Sequence, residues 1–340
     1  MFLLSLISNE KILSKKILII LIAVFSTGLT YSQLGGHPGA FTRLGFSARG
    51  IGMGNAMTSV ITGDVSGIYN PSLSPFQDDH LINLSYSFLS LDRNLNFVTY
   101  TKNFKLPNQS QGGAGVTFAW INAGVSDIDG RDADGFSLGM LSTSDNMFLF
   151  APSIRVSEKL SLGVGFKFYY SKLYSDEANT VSSTSFGFDI GALFRVNEKI
   201  NIGFTAKDFN SQYEWNTIDL YGENGNTTKE KFPLIYTLGA SYMLPNNFGL
   251  VSLDFETSNK KSNIFRVGAE VYPIKDIKFR AGMDRLDISA NDVFGGSKGM
   301  FGIGYQKPFG NYVVGIDYSF VLEPYTHNPF QTITAVFKIK

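Results

Sequence analysis

The sequence predicts an all-β protein, a transmembrane antiparallel β-barrel of about fourteen strands with an N-terminal hatch that plugs it. Three observations predict this. From His80 onward, apolar and polar residues alternate with period two, in segments close to the roughly 9–11 residues that a tilted membrane strand requires. The apolar face of these segments is aromatic, in a chain of 340 residues with 30 Phe and 16 Tyr, while the other face carries Gly and charge. From the third segment onward the links alternate short and long, apart from a medium link at 258–262, as in a barrel whose two ends meet different compartments. The first two links, near Asp92 and Lys105–Gln111, fit this less well.

At the N-terminus, Lys11, Lys15 and Lys16 precede the apolar run Ile17–Leu29 and the segment Thr30-Tyr31-Ser32-Gln33. This is the pattern of a Sec signal peptide, residues 1–32, with cleavage near Ser32–Gln33. The run is too short to cross a bilayer as a helix, which takes about 20 apolar residues. The mature protein is therefore expected to leave the cytoplasm without a helical anchor.

Residues 33–79 are Gly-rich and lack a sustained period, so they read as the hatch. Within them Gly50, Gly52 and Gly54 alternate with Ile51, Met53 and Asn55. A phosphate-cradling loop would need a strand before and a helix after, and neither is evident. Close packing of hatch backbone on the barrel wall, where glycine alone fits, is the better reading. Asp64 is expected to cap a short helix through Ser66–Tyr69, or else to pair with a lumenal Arg. Asn70-Pro71 is expected to stop that helix and turn the chain toward the first strand.

Strands are expected near 80–90, 93–104, 112–123, 145–156, 159–172, 182–196, 199–208, 231–243, 248–257, 263–272, 275–284, 298–307, 310–320 and 329–339. The segment 159–172 is the clearest, with Leu160, Leu162, Val164, Phe166, Phe168 and Tyr170 against Ser161, Gly163, Gly165, Lys167, Tyr169 and Ser171. A soluble sandwich would bury the second face, and its charges, among them Lys167, Asp189, Asp254, Glu270, Arg280 and Asp317, would be costly in such a core. In a barrel they pair across the lumen or line water. Short turns fall at Ser157-Glu158, Asn197-Glu198, Pro245–Asn247, Ile274-Lys275 and Pro308–Gly310, and long loops at 124–144, 173–181, 209–230, 285–297 and 321–328. Both barrel ends then lie on the short-turn side, and the plug sits at that entrance or inside the lumen.

The composition excludes several functions. Lys+Arg and Asp+Glu are both 29, so there is no electrostatic reason to expect nucleic acid as a partner. With no Cys there is no disulfide, thiolate metal site or thiol nucleophile. His37, His80 and His327 lack metal-ligand spacing, and no Ser, His and acid form a visible catalytic set, so no catalytic residue, metal or cofactor is expected. The acidic run Asp127–Gly135 alternates carboxylates as calcium loops do but lacks the closing Glu, and reads first as a solvated loop. In the long loop Asn210–Lys231, Tyr213, Trp215 and Tyr221 suit either a partner-contact surface or the membrane interface.

Phe41-Thr42-Arg43-Leu44-Gly45, Ala48-Arg49, Gly52-Met53-Gly54, Ala56, Asp64 and Tyr69-Asn70-Pro71 together resemble the N-terminal signature of the PorV/PorQ family. That family is a branch of the FadL-like outer-membrane barrels of Bacteroidota and related bacteria. Leu160–Lys167, Phe186–Leu193, Lys231–Tyr242 and Phe265–Ala269 with Phe279–Gly282 are also similar to it, so the resemblance covers most of the mature chain. The chain departs from the pattern in a single acid at Gly63-Asp64, in Ser72 after Asn70-Pro71, in the adjacency of Tyr69 and Asn70, and in the terminal Lys340. The resemblance implies a FadL-like barrel of fourteen strands in outer-membrane lipid, its hatch motif built on Arg49, Gly50, Gly52, Gly54, Asp64, Tyr69, Asn70 and Pro71. For the PorV branch it implies a type IX secretion component that receives secreted cargo proteins at a translocon and passes them to surface attachment. That is the function expected here. For FadL proper it implies passage of hydrophobic small molecules, which is the alternative.

Overall fold

The computed structural model describes residues 36–105, 113–131, 133–173, 180–218, 223, 225–290, 292–326 and 328–340. The expected signal peptide, Tyr221 and His327 lie outside the described residues. The strands are β1 (His80–Phe88), β2 (Arg93–Phe104), β3 (Gly113–Arg131), β4 (Ser137–Arg155), β5 (Leu160–Leu173), β6 (Val181–Arg195), β7 (Ile200–Phe209), β8 (Gln212–Asn216), β9 (Thr227–Lys231), β10 (Ile235–Met243), β11 (Gly249–Ser258), β12 (Asn263–Ile274), β13 (Ile277–Asp287), β14 (Lys298–Phe309), β15 (Tyr312–Val321) and β16 (Phe330–Ile339). Fourteen of them close an antiparallel barrel in which β7 pairs with β10, leaving β8 and β9 as a separate hairpin. The last strand closes on the first in register, from His80 opposite Ile339 to Phe88 opposite Gln331. Both barrel ends therefore lie at the short-link end.

The barrel is inside out relative to a water-soluble protein. Along β5 the exposed residues are Leu162, Val164, Phe166, Phe168 and Tyr170, and the buried ones are Ser161, Gly163, Gly165, Lys167, Tyr169 and Ser171. The same holds around the wall: Phe186, Leu238, Phe279, Phe301 and Ile316 face out, while Asp189, Asp254, Glu270, Arg280 and Asp317 are buried. Rings stack across neighbouring strands on the outer face, as Phe118 on Phe150 at 5.1 Å and Phe150 with Phe166 at 6.3 Å between centroids. A continuous outer apolar band is far larger than the few hundred Å² that a soluble monomer tolerates. Hydrocarbon is the solvent that suits it, because a closed barrel leaves no edge of unpaired backbone groups.

Two stretches expected as loops are strands. Residues 124–144 extend β3 and β4 to 19 residues each, a hairpin that outruns the nine-residue β1. Beyond the membrane both faces of a hairpin meet water, so the period-two pattern fades although the ladder continues. The extension is irregular, with a register shift between Val125 and Ile128 and Asp127 at φ 56°. Residues 209–230 likewise contain β8, and β9 completes the second hairpin.

Residues 36–79 run through the lumen. A 3₁₀ turn, Ala40–Arg43, precedes helix α1 (Ser47–Gly52), which packs on β13, β14, β15, β16 and β1. A second 3₁₀ turn, Pro71–Phe76, packs on β2 to β6 across the lumen. The expected helix over Ser66–Tyr69 is a turn. Asn70-Pro71 starts a 3₁₀ turn rather than stopping a helix: Asn70 Oδ1 accepts from Ser72 N at 3.0 Å and Ser72 Oγ at 2.7 Å. Proline fits the first position of such a turn, where an N–H has no partner to lose.

Candidate functional site: the hatch and the vestibule above it

Glycine sets how closely the hatch approaches the wall. Gly268 on β12 and Gly282 on β13 are register partners, and a Cβ on either would collide with the Met53–Gly54 backbone. Gly54 itself sits at φ +61°, and its own Cβ would lie 2.5 Å from Val267 O. Gly163 and Gly191, paired across β5 and β6, seat Asn70-Pro71 in the same way. Gly52 lies against the Gly302 backbone, whereas Gly50 meets the Tyr69 hydroxyl inside the hatch.

Charge fixes the orientation. Arg49, 2% exposed, forks onto Glu270 on β12 (Nε to Oε2 2.9 Å, Nη2 to Oε1 2.8 Å) and donates a third bond to the Asp64 carbonyl at 2.8 Å. Glu270 also accepts from Arg280 Nε at 2.6 Å and Tyr272 OH at 2.7 Å, and Arg280 continues to Asp317 at 2.8 Å. The Asp64 side chain neither caps a helix nor meets an Arg. It pairs with Lys338 on β16 and accepts from Gln306 Nε2 at 2.6 Å. Burial alone would raise the Asp64 carboxyl, but Lys338, Lys278 and Arg49 outweigh it and hold the group well below the ordinary carboxylate range. Asn55 Nδ2 reaches Asp284 at 3.1 Å, and Thr58 donates from N and Oγ1 to Asp254 at 3.1 and 2.6 Å. Tyr69 OH donates to Phe46 O at 2.7 Å, and burial pushes its hydroxyl above the usual tyrosine range. Asn70 Nδ2 bonds Thr58 O at 2.8 Å and Ala192 O on β6 at 3.1 Å.

Above the hatch, at the long-link end, lies a cavity of ≈ 860 Å³. Its floor is the arm Ala40–Leu44, and Leu89, Ala123, Ile264, Arg285 and Tyr325 are among its walls. Arg43 ties the arm to itself, donating to His37 O at 2.9 Å and Pro38 O at 3.0 Å. Below the arm a polar chamber of ≈ 70 Å³, lined by Phe46, Tyr69, Lys207, Asp254 and Arg266 among others, has room for about two waters. Arg43 borders both spaces.

The β8–β9 hairpin leans over the inner face of β6 and packs Tyr213 inward, while β9 stays exposed. Gln212 N and Glu214 N bond the inward hydroxyls of Ser185 and Ser183 on β6, at 2.8 and 2.9 Å. Tyr213, expected at a partner surface, is 3% exposed and packs on Tyr169 and Phe232 at 6.4 and 4.9 Å between centroids. Trp215 is half-buried, stacked beside Tyr213 and donating to Glu230 at 3.0 Å. Tyr169 also meets Phe41 of the arm edge-on, so arm and hairpin share one aromatic seal. An aromatic run in a long link reads as surface by sequence, because nothing local announces that the link turns inward.

Sequence reasoning missed Pro152. The β4–β5 ladder pairs Phe150 with Phe166 and Ser153 with Gly163, with no pair between. Pro152 sits in the gap and has no N–H to give. Behind it, Pro71 of the hatch lies 3.4 Å from where a Cβ on Gly165 would be. In front is an aromatic groove of ≈ 520 Å³ on the outer face, lined by Phe118, Phe148, Phe150, Phe166 and Phe168 among others. A proline inside an otherwise regular strand was the available signal.

In the acidic run, Asp127 and Asp129 lie on β3 and Asp129 pairs with Arg131 at 2.8 Å. Among the described residues no three His, Cys, Asp or Glu side chains group as metal ligands. His80 Nδ1 is 2.8 Å from Tyr100 OH at the barrel rim.

This architecture defines a class: a closed membrane barrel with a hatch docked in its lumen and a vestibule on one side of the hatch. Its fold is FadL-like. It is similar to the Pseudomonas putida toluene transporter TodX (TM-score 0.57, 12% identity, 86% of this chain and 97% of that one). It is similar also to the Ralstonia pickettii toluene transporter TbuX (TM-score 0.56, 13% identity, 86% and 97%) and a Pseudomonas aeruginosa FadL homologue (TM-score 0.56, 10% identity, 92% and 99%). No family model matches the sequence, and no curated protein does.

Proposed function

We propose that this chain is a non-catalytic outer-membrane channel of the FadL-like kind that takes up hydrophobic small molecules. In this reading residues 1–32 are a signal peptide removed on Sec export, 33–79 the hatch and 80–340 the barrel. One observation carries it: the ≈ 860 Å³ vestibule ends on the hatch, a size that suits a small molecule, with Phe41, Leu44, Leu89 and Ile264 as apolar lining among charged wall residues such as Arg93, Asp145, Arg285 and Lys298. The interrupted β4–β5 wall beside Pro71 adds support, since a pathway needs a weak point and a secretion adaptor does not. Two proteins of similar fold are toluene transporters, which agrees with this reading. The test is uptake of radiolabelled toluene into proteoliposomes, wild type against Leu44→Trp, which fills the vestibule floor. Uptake above empty liposomes that falls about tenfold or more in the variant supports the reading. Uptake equal to empty liposomes, or unchanged in the variant, ends it.

A second reading keeps the type IX secretion role. It rests on the β3–β4 hairpin, which outruns its neighbours and carries Phe136 and Met140 at 72% and 66% exposure near its tip. An exposed aromatic and a methionine on a rigid hairpin suit protein contact. Pull-down of the tagged protein from solubilised outer membranes distinguishes the two. Co-purifying secreted proteins with a shared C-terminal sorting domain, or a large translocon barrel, would favour secretion, and recovery of the barrel alone would favour transport.

A further inference from the structure

The hatch is held differently on its two sides. Toward β11–β16 its bonds reach buried charged groups, Arg49 to Glu270, Asn55 to Asp284, Thr58 to Asp254 and Asp64 to Lys338. Two neutral wall groups join them, Gln306 donating to Asp64 and Thr334 Oγ1 accepting from Ala48 N at 2.7 Å. Toward β3–β7 the bonds are mostly neutral. Gly67 N donates to Thr117 Oγ1 at 3.0 Å, Ser74 Oγ shares that hydroxyl at 2.8 Å, Ser161 Oγ donates to Ser72 O at 2.7 Å, and Asn70 Nδ2 meets Ala192 O. The exceptions on this side are Lys207, which donates to Ile68 O at 3.2 Å, and Arg155, stacked over Phe76 at 5.0 Å at the rim. Arg43 of the arm lies in the field of Asp208 on β7, but no carboxylate of the β3–β7 wall takes a bond from Gly67–Phe76 among the described residues. Charge-assisted bonds are roughly twice as strong as neutral ones, and a forked Arg–carboxylate pair also fixes direction.

We infer that the hatch is hinged: its Arg49–Asp64 side stays latched to β11–β16, while its Gly67–Phe76 side lifts from β3–β7. Three further features agree with that direction. The seat of Asn70-Pro71 on β5 and β6 is glycine at Gly163 and Gly191, and the β6 side chain that the lift has to unpack is Leu193, which clusters with Leu73. The ≈ 70 Å³ chamber is bordered by Ile68 and Tyr69, so the lift extends that chamber toward the short-link end. The one interrupted stretch of β4–β5 ladder lies beside the same seat. The device requires no particular solute, so it stands or falls apart from the transport reading.

The test needs no activity. In hydrogen–deuterium exchange of the full chain in lipid nanodiscs, peptides covering Gly67–Gln77 are expected to exchange at least about tenfold faster than those covering Ala48–Thr58. Because the natural chain has no Cys, engineered pairs are unambiguous. S72C/S161C ties the lifting side, and A48C/T334C ties the latched side. Oxidising the first pair should slow Gly67–Gln77 exchange to the rate of the latched side, and reductant should restore it. Oxidising the second should change exchange there little. Equal protection of the two sides in the wild type overturns the hinge. So does faster exchange on the Arg49 side, or exchange over Gly67–Gln77 that stays fast when S72C/S161C is oxidised.

Discussion

Arg49 shows what a single buried side chain decides. Its fork onto Glu270 spans hatch and barrel, and removing one member of such a pair leaves the other short of a partner in a dry site. Glu270 keeps Arg280 and Tyr272, so Arg49→Ala should weaken hatch docking by about 1.5–3 kcal/mol. Arg49→Lys should rescue little, because an ammonium cannot span both carboxylate oxygens and the Asp64 carbonyl. Limited proteolysis of the hatch in the intact barrel reads both. Gly282→Val places a side chain where Gly54 N already lies, so the same assay should give rapid cleavage although no bond has been deleted.

Asp64 adds a pH dependence with a definite sign. Its carboxyl is held below the ordinary value of 3.8. It therefore stabilises docking fully above that value and loses the contribution as pH falls through 3.8 toward the folded one. The Asp64 share of hatch protection should be level from neutral down to about pH 5 and fall below about pH 4. Asp64→Asn should be weaker at neutral pH and fall less, because the Glu270 and Asp284 carboxylates that hold Arg49 and Asn55 still have to be protonated.

At the scale of elements, strand positions were largely legible from the sequence and their tertiary roles were not. Lys159–Lys172 alternates so regularly that β5 could be placed within a residue at each end. The β3–β4 extension could not, because outside lipid neither face needs to be apolar. Pro152 marks where one element is weakest. Pro152→Val restores a donor to the β4–β5 ladder, and the folded barrel should resist unfolding in heated SDS gels to a higher temperature. The β8–β9 hairpin makes the opposite point, since its aromatic residue is a core group of the lumen. Tyr213→Ala should cost about 3–5 kcal/mol of local stability and shift Trp215 fluorescence to the red as the seal loosens, with the barrel intact.

At the scale of the molecule, closure and plugging are separate achievements. The wall closes by backbone pairing of β1 with β16, which involves no hatch residue. The barrel should fold without residues 36–76 but conduct ions, giving large steady openings in planar bilayers where the full chain gives none. A truncated chain that still seals would mean that the β8–β9 hairpin alone closes the lumen. The candidate site was only half visible beforehand. Arg49, Gly52, Gly54, Asp64 and Asn70 stand out in the sequence, but Glu270, Lys338 and Gln306 are three polar residues among many on the lumen face until the wall is closed.

By itself the sequence determined the barrel: the strand number, which face meets lipid, and which end holds the short links. Those follow from a period-two pattern and from turn residues, and both act between neighbours in the chain. Only the tertiary structure decided what the hatch touches, where the wall is weak and which way the long links fold. Arg49 and Glu270 are 221 residues apart, and Ala48 and Thr334 are 286 apart. Contacts at such separations depend on the register of every intervening strand, and no local pattern records that sum.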